Sequence, residues 1–126
     1  IHHINNKISF FNIDVDKFTL SKYDFIISNP PYISNIDIKR LDEDVRFFEP
    51  HLALNGGLDG FSEIKKLIIK SKKLLKYKGK LIFEIGNKQI EFSKFFLKKH
   101  GFYLNKICKD IQTHPRVLIA TKIVNE

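Results

Sequence analysis

Methionine and tryptophan are absent from these 126 residues, and Cys108 is the single cysteine. One cysteine excludes an internal disulfide and a cysteine-rich zinc site. A reducing cytoplasm is the compartment this composition fits. No stretch approaches the roughly 20 consecutive apolar residues that span a bilayer, and the N-terminus carries no signal-peptide pattern, so no membrane partner is expected. The chain opens on Ile1 rather than methionine, and it reads as a piece of a longer polypeptide. Proline and glycine are scarce, 4 and 6 residues, so each is positional punctuation. The five histidines have no metal-ligand spacing, and no metal site is expected.

What is present suits a packed core. Hydrophobic residues make up 43% of the chain, including 12 phenylalanines. Residues 1–60 carry 6 Lys/Arg against 9 Asp/Glu, a balance of −3. Residues 61–126 carry 16 against 5, a balance of +11. Lysines spread along helical segments read first as a solvated face. A basic half is also compatible with contact to nucleic acid.

Along the chain, Lys7–Val15 reads as a short buried strand ending near Asp14. Lys22–Ser28 reads as a second strand, its apolar run typical of a parallel sheet. Residues 33–60 are acidic and irregular, with a short helical turn expected around Ile36–Val45. Ser62–Gly79 has the pattern of an amphipathic helix, with Ile64, Leu67, Ile68, Leu74 and Leu75 on one stripe, Ser62 as N-cap and Gly79 as stop. Lys80–Gly86 reads as a strand and Lys88–Gly101 as a second helix. Phe102–Asp110 and Arg116–Val124 read as an antiparallel hairpin around Gln-Thr-His-Pro, with Cys108 in the core. The order β, β, α, β, α, β, β predicts an α/β fold: a mainly parallel sheet with helices on both faces and one antiparallel strand inserted near an edge. Ligands of such sheets bind beyond the carboxyl ends of the strands. That end holds Asp14, Asn29-Pro30-Pro31-Tyr32 and Glu84-Ile85-Gly86.

Asn29-Pro30-Pro31-Tyr32 is an unusual way to end a strand. Proline cannot extend a ladder, and the residue before it is held extended. The outcome is a stiff corner offering the Asn29 side-chain amide, the carbonyls of Asn29 and Pro30, and the ring of Tyr32. Acceptors beside a flat apolar wall suit a planar –NH₂ group. The same prolines also read as a plain rigid turn, and Asp14 as a simple cap.

Asn-Pro-Pro-Tyr after a strand resembles the signature of S-adenosylmethionine-dependent methyltransferases acting on conjugated amino groups. Three further stretches, Phe48–Gly60 (FEPHLALNGGLDG), LIFEIG followed by Gln89, and KDIQTHPRVLIA, resemble the peptide chain release factor N5-glutamine methyltransferases of the HemK/PrmC type. The resemblance covers about residues 8–123. It implies a Rossmann-like class I methyltransferase sheet, of which residues 1–126 would be the C-terminal portion. The glycine-rich cofactor turn and the N-terminal helical domain of that family have no counterpart before Asp14, and Gly56–Gly60 follows no strand.

The resemblance further implies methyl transfer from S-adenosylmethionine to the side-chain amide of the glutamine in a release factor's Gly-Gly-Gln motif. Asn29, Pro30 and Tyr32 would be catalytic, Pro31 would help bind the substrate, and Asp14, Val15 and Asn29 would touch the cofactor. The partner would be the release factor; nucleic acid is compatible but not required. Two other readings stay open. A DNA or RNA adenine N6 methyltransferase uses a similar corner, and a non-catalytic remnant would serve only as a binding module. Either way, these residues by themselves are expected to hold the cofactor weakly or not at all.

Overall fold

The structure, a computed structural model, describes residues 7–19, 22–30, 61–86 and 88–125. Among them are four strands and two helices: β1 (Tyr23–Ser28), α1 (Phe61–Leu74), β2 (Leu75–Glu84), α2 (Ile90–Lys99), β3 (Phe102–Lys109) and β4 (Pro115–Lys122). Pro31, Tyr32, the segment 33–60 and Asn87 lie outside the described residues.

The strands form one sheet in the order β1-β2-β4-β3. β1 and β2 are parallel, with Ile26 beside Leu81 and Ser28 beside Phe83. β4 runs antiparallel to both neighbours, Leu118 lying beside Phe83 on one side and Ile107 on the other. The expected inserted antiparallel strand is therefore β4, and the described sheet has one parallel pair rather than a mainly parallel character.

Period-2 alternation decides the faces. Leu81, Phe83, Leu118 and Ala120 are buried on one face and meet Phe61, Ile64, Leu67 and Ile68 of α1 and Phe92, Phe96 and Leu97 of α2. The helices touch through Phe61 and Phe92, with ring centroids 4.4 Å apart. Both described helices cover this one face, not both faces as expected. The reason is topological. Right-handed crossovers that advance across a sheet in one direction deposit their helices on the same side. On the other face Phe25 and Ile27 are 60% and 76% exposed.

Two element boundaries differ from the sequence expectation. Lys7–Val15 is not a strand: Asp14 instead caps a 3-10 turn over Val15–Lys17, and Ile8, Phe10, Phe11 and Ile13 are exposed. β-Propensity without a paired neighbour does not make a strand. The first helix starts at Phe61, which puts Ser62 inside its first turn, and it stops at Leu74, well short of Gly79. Leu75 is fully buried as the first residue of β2 and pairs with Tyr23. A tertiary contact makes the stop. The Lys122 ammonium donates to the carbonyls of Lys72 (2.6 Å) and Leu75 (2.9 Å). Gly79 serves the strand instead: a Cβ there would lie 2.9 Å from the Lys76 carbonyl and 3.1 Å from that of Asp24. Gly101 does end α2, at φ +79°. Cys108 is half-buried in β3.

Candidate active site

The carboxyl ends of β1 and β2 and the first residues of β4 enclose a cleft of ≈ 230 Å³, lined by Ile27, Ser28, Asn29, Ile82, Phe83, Glu84 and Val117. Four of these side chains are aliphatic or aromatic; Ser28, Asn29 and Glu84 supply the polar groups. Asn29 is exposed and the Pro30 that follows it is buried. The strand thus presents the Asn29 side chain at its tip while the proline ring anchors the chain below. Proline also removes one donor from the corner, so acceptors dominate there.

The Glu84 side of the cleft is fixed by a hydrogen-bond chain. Gln89 is buried at the start of α2, and its Oε1 accepts from the Gly86 N–H at 2.8 Å. The Gly86 carbonyl in turn accepts from the Gln89 N–H at 3.1 Å. This reciprocal pair locks the turn after β2. The Ile85 N–H donates to the Arg116 carbonyl at 2.8 Å. Arg116 is itself oriented by Asp110, whose carboxylate accepts from Arg116 Nε at 2.9 Å and from the Gln112 and His114 amides at 2.9 and 3.0 Å. The His114 amide foremost, with Arg116 and the Gln112 amide, holds the Asp110 carboxyl below its ordinary value. Asp110, Arg116 and Gln89 all fall in the stretches that carry the family resemblance. Their roles here are structural: the hairpin and the α2 turn brace the cleft wall.

Of the expected site residues, the structure brings Asn29 and Glu84 to one cleft. Asp14 and Val15 are not among its lining residues. Asp14 Oδ1 accepts from the Asp16 N–H at 2.9 Å. That bond, with the Lys66 ammonium beyond it, holds the Asp14 carboxyl below its ordinary value. The turn is tied to α1 by Lys66, 3.3 Å from the Asp16 carboxylate, and by Lys70, which donates to the Asp16 carbonyl at 3.2 Å. Asp14 does cap, but it caps this turn and no strand. Val15, in the turn that Asp14 caps, is exposed. Among the described residues there is no group of three or more His, Cys, Asp or Glu able to hold a metal ion, and no helix is long and apolar enough to cross a membrane.

Comparison with known proteins follows the same lines. No protein-family model matches the chain. A release factor glutamine methyltransferase of Clostridium acetobutylicum is 37% identical over 101 residues, covering 80% of this chain and 35% of that protein. A bifunctional methyltransferase of Rickettsia conorii is 36% identical over 114 residues, covering 90% of this chain and 21% of the relative. The chain thus spans about a third or less of the length of these relatives. Among solved structures, a methyltransferase from Pyrococcus furiosus superposes with a TM-score of 0.57 at 21% identity, over 84% of this chain and 44% of the other. At that identity the likeness is one of fold: the sheet is a portion of a Rossmann-like methyltransferase fold that ends in an antiparallel hairpin. By sequence, the chain is related to the release factor glutamine methyltransferases.

Proposed function

We propose that this chain carries the amide-binding part of an S-adenosylmethionine-dependent methyltransferase whose substrate is the glutamine of a release factor's Gly-Gly-Gln motif. One observation carries the reading: Asn29, held by a buried Pro30, stands exposed in the cleft at the carboxyl end of β1. The names of the relatives support the substrate class, and the fold supports the cofactor class.

When bound, S-adenosylmethionine supplies an electrophilic methyl group on a sulfonium. Asp14 and Val15 would hold its adenine, and Asn29 would lie near the reacting end. The work left to the protein is set by the substrate. An amide nitrogen is a poor nucleophile because its lone pair is delocalised into the carbonyl. Asn29 Oδ1 and the Pro30 carbonyl, accepting from the two N–H bonds of the glutamine, would fix that nitrogen and stabilise positive charge developing on it. Orientation of this kind contributes roughly 7–11 kcal/mol in ideal cases. Tyr32 would pack on the amide plane beside Pro31. Ile27, Ile82 and Val117 supply the apolar part of the lining beside these acceptors.

The test uses the protein that contains this chain. It is supplied with radiolabelled S-adenosylmethionine and a release factor, and separately with duplex DNA. Label on the release factor, lost on Gln→Asn substitution in its Gly-Gly-Gln motif, is the expected result. Label on DNA alone refutes the proposal in favour of an adenine methyltransferase, and label on neither refutes it in favour of a binding module. Asn29→Ala should lower kcat at least about a hundredfold, the scale of removing one preorganised polar group, while the Kd for the release factor changes little.

A further inference from the structure

The turn between β3 and β4 stands at the same end of the sheet as the Asn29 cleft. In it Ile111 is 101% exposed, the most exposed large apolar side chain among the described residues. We propose that this turn docks the protein that presents its glutamine to the cleft, with Ile111 as the anchor that enters an apolar pocket on that protein. The role rests on the methyltransferase function proposed above.

The register places the tip. Ser28 lies beside Phe83, and Glu84 beside Val117. The next residue of β1, Asn29, is thus level with Glu84 and with the start of β4. Two strand spacings separate β1 from β4, about 10 Å. β4 runs antiparallel to β2, so the chain before Val117 continues past the carboxyl end of β2. Pro115 lies about 7 Å beyond Val117 along the strand, and Ile111 belongs to the turn beyond Pro115. The tip therefore rises beside the rim of the cleft.

The cleft needs such help. Its ≈ 230 Å³ falls below the range of about 300–1,000 Å³ that holds a drug-sized ligand. One side chain seated there buries little of a macromolecule, whereas a stable protein contact buries about 800 Å² on each partner. The remaining contacts must fall on the rim, and the turn is part of it.

An exposed isoleucine alone carries little meaning. The backbone beneath it gives this one a purpose. The Asp110 carboxylate accepts from the Gln112 and His114 amides and from Arg116 Nε. The Asp110 N–H donates to the His114 carbonyl at 2.9 Å, and the Thr113 N–H to the Asp110 carbonyl at 3.0 Å. Thr113 sits at φ +66°, a left-handed conformation that a β-branched residue rarely adopts. Backbone held in this way clusters at binding and catalytic sites. A tip fixed before binding loses little freedom on binding. Its apolar side chain suits a pocket on a protein, since contacts to a nucleic-acid backbone are made by cationic and polar groups.

The experiment uses the protein that contains this chain, with radiolabelled S-adenosylmethionine and either an intact release factor or a short peptide holding its Gly-Gly-Gln motif. Ile111→Ser should raise KM for the release factor about tenfold with kcat unchanged. The peptide fills the cleft without reaching the tip, so its kcat/KM should stay within about twofold. Ile111→Leu, which keeps an apolar tip, should restore most of the loss. Phe95→Ser, at an exposed position on α2, should leave KM within about twofold. Circular dichroism melts show that the variants are folded. An equal loss with the peptide, with Phe95→Ser or with Ile111→Leu overturns the proposal. A release factor that the unaltered protein leaves unlabelled overturns the methyltransferase function and the docking role with it. Normal labelling with a KM that Ile111→Ser does not change overturns the docking role alone.

Discussion

Lys122 is 1% exposed, yet it is a lysine, and it sits under a helix end. Replacing it with methionine keeps the length and apolar stem of the side chain and removes the ammonium. Two acceptors, the part-buried carbonyl of Lys72 and the buried carbonyl of Leu75, then lose their donor. Leaving a buried polar group unsatisfied costs about 1–3 kcal/mol, so the pair is worth roughly 2–6 kcal/mol gross. Against this, the variant no longer desolvates an ammonium, a penalty of several kcal/mol in real proteins. From a gross mid-range of about 4 kcal/mol, this leaves roughly 1 kcal/mol of net destabilisation. With a urea slope of about 1–3 kcal/mol per molar, the Lys122→Met midpoint should fall by about 0.5 M with no change in slope. Lys106→Met, at an exposed position, should stay within about 0.5 kcal/mol of the parent. A Lys122→Met midpoint equal to or above the parent's would refute the reasoning. It would mean that the α1 carbonyls find water or re-close on their own, and that the helix stop at Leu74 has another cause.

Ser93 Oγ is buried without a hydrogen-bond partner, so Ser93→Ala should stabilise the chain by about 0.5–1.5 kcal/mol through relief of that penalty and better helix propensity, read as a raised urea midpoint. Stability should also fall in acid in two separate steps. His100 and Asp110 both have folded values below their unfolded ones, so the unfolded chain takes up more protons as pH falls. The His100 contribution is complete above about 6.5 and is lost as pH drops through its lower folded value; His100→Gln should abolish that step. The contributions of Asp110 and Asp14 are complete above about 3.8 and are lost below it; Asp110→Asn should diminish that step and leave the share of Asp14, as followed by melting temperature against pH.

How much of this was legible beforehand varies with the kind of cause. β1 could be read because a continuous apolar run stops on two prolines, a local signal. The β3–β4 hairpin could be read because Gln-Thr-His-Pro interrupts two alternating segments, and the end of α2 because Gly101 supplies the left-handed residue a helix terminus needs. The end of α1 could not: Gly79 looked like the stop, but the acting group is Lys122, nearly fifty positions away in sequence. Nor could the exposure of Phe10 and Phe11, since their composition says strand and only the absence of a described pairing partner says otherwise. The distribution of the helices followed from strand order, which alternation alone does not determine. At the site, Asn29 was visible through its prolines. The bracing by Gln89, Asp110 and Arg116 was visible only as matching letters, because a reciprocal backbone–side-chain lock has no composition of its own.

The register of the sheet also bears on how it assembles. Lys109 pairs with Pro115 across a tight turn, whereas Ser28 pairs with Phe83 across a separation of nearly half the chain. Closing the longer loop costs about 2 kcal/mol more in chain entropy. The hairpin and the two helices can therefore condense first, with β1 added as the late, long-range step. Among the described strands, the same one would be the first to detach during native-state opening. Asn29 rides on its tip, so within the described sheet local opening of β1 would erase the cleft while the hairpin remains intact.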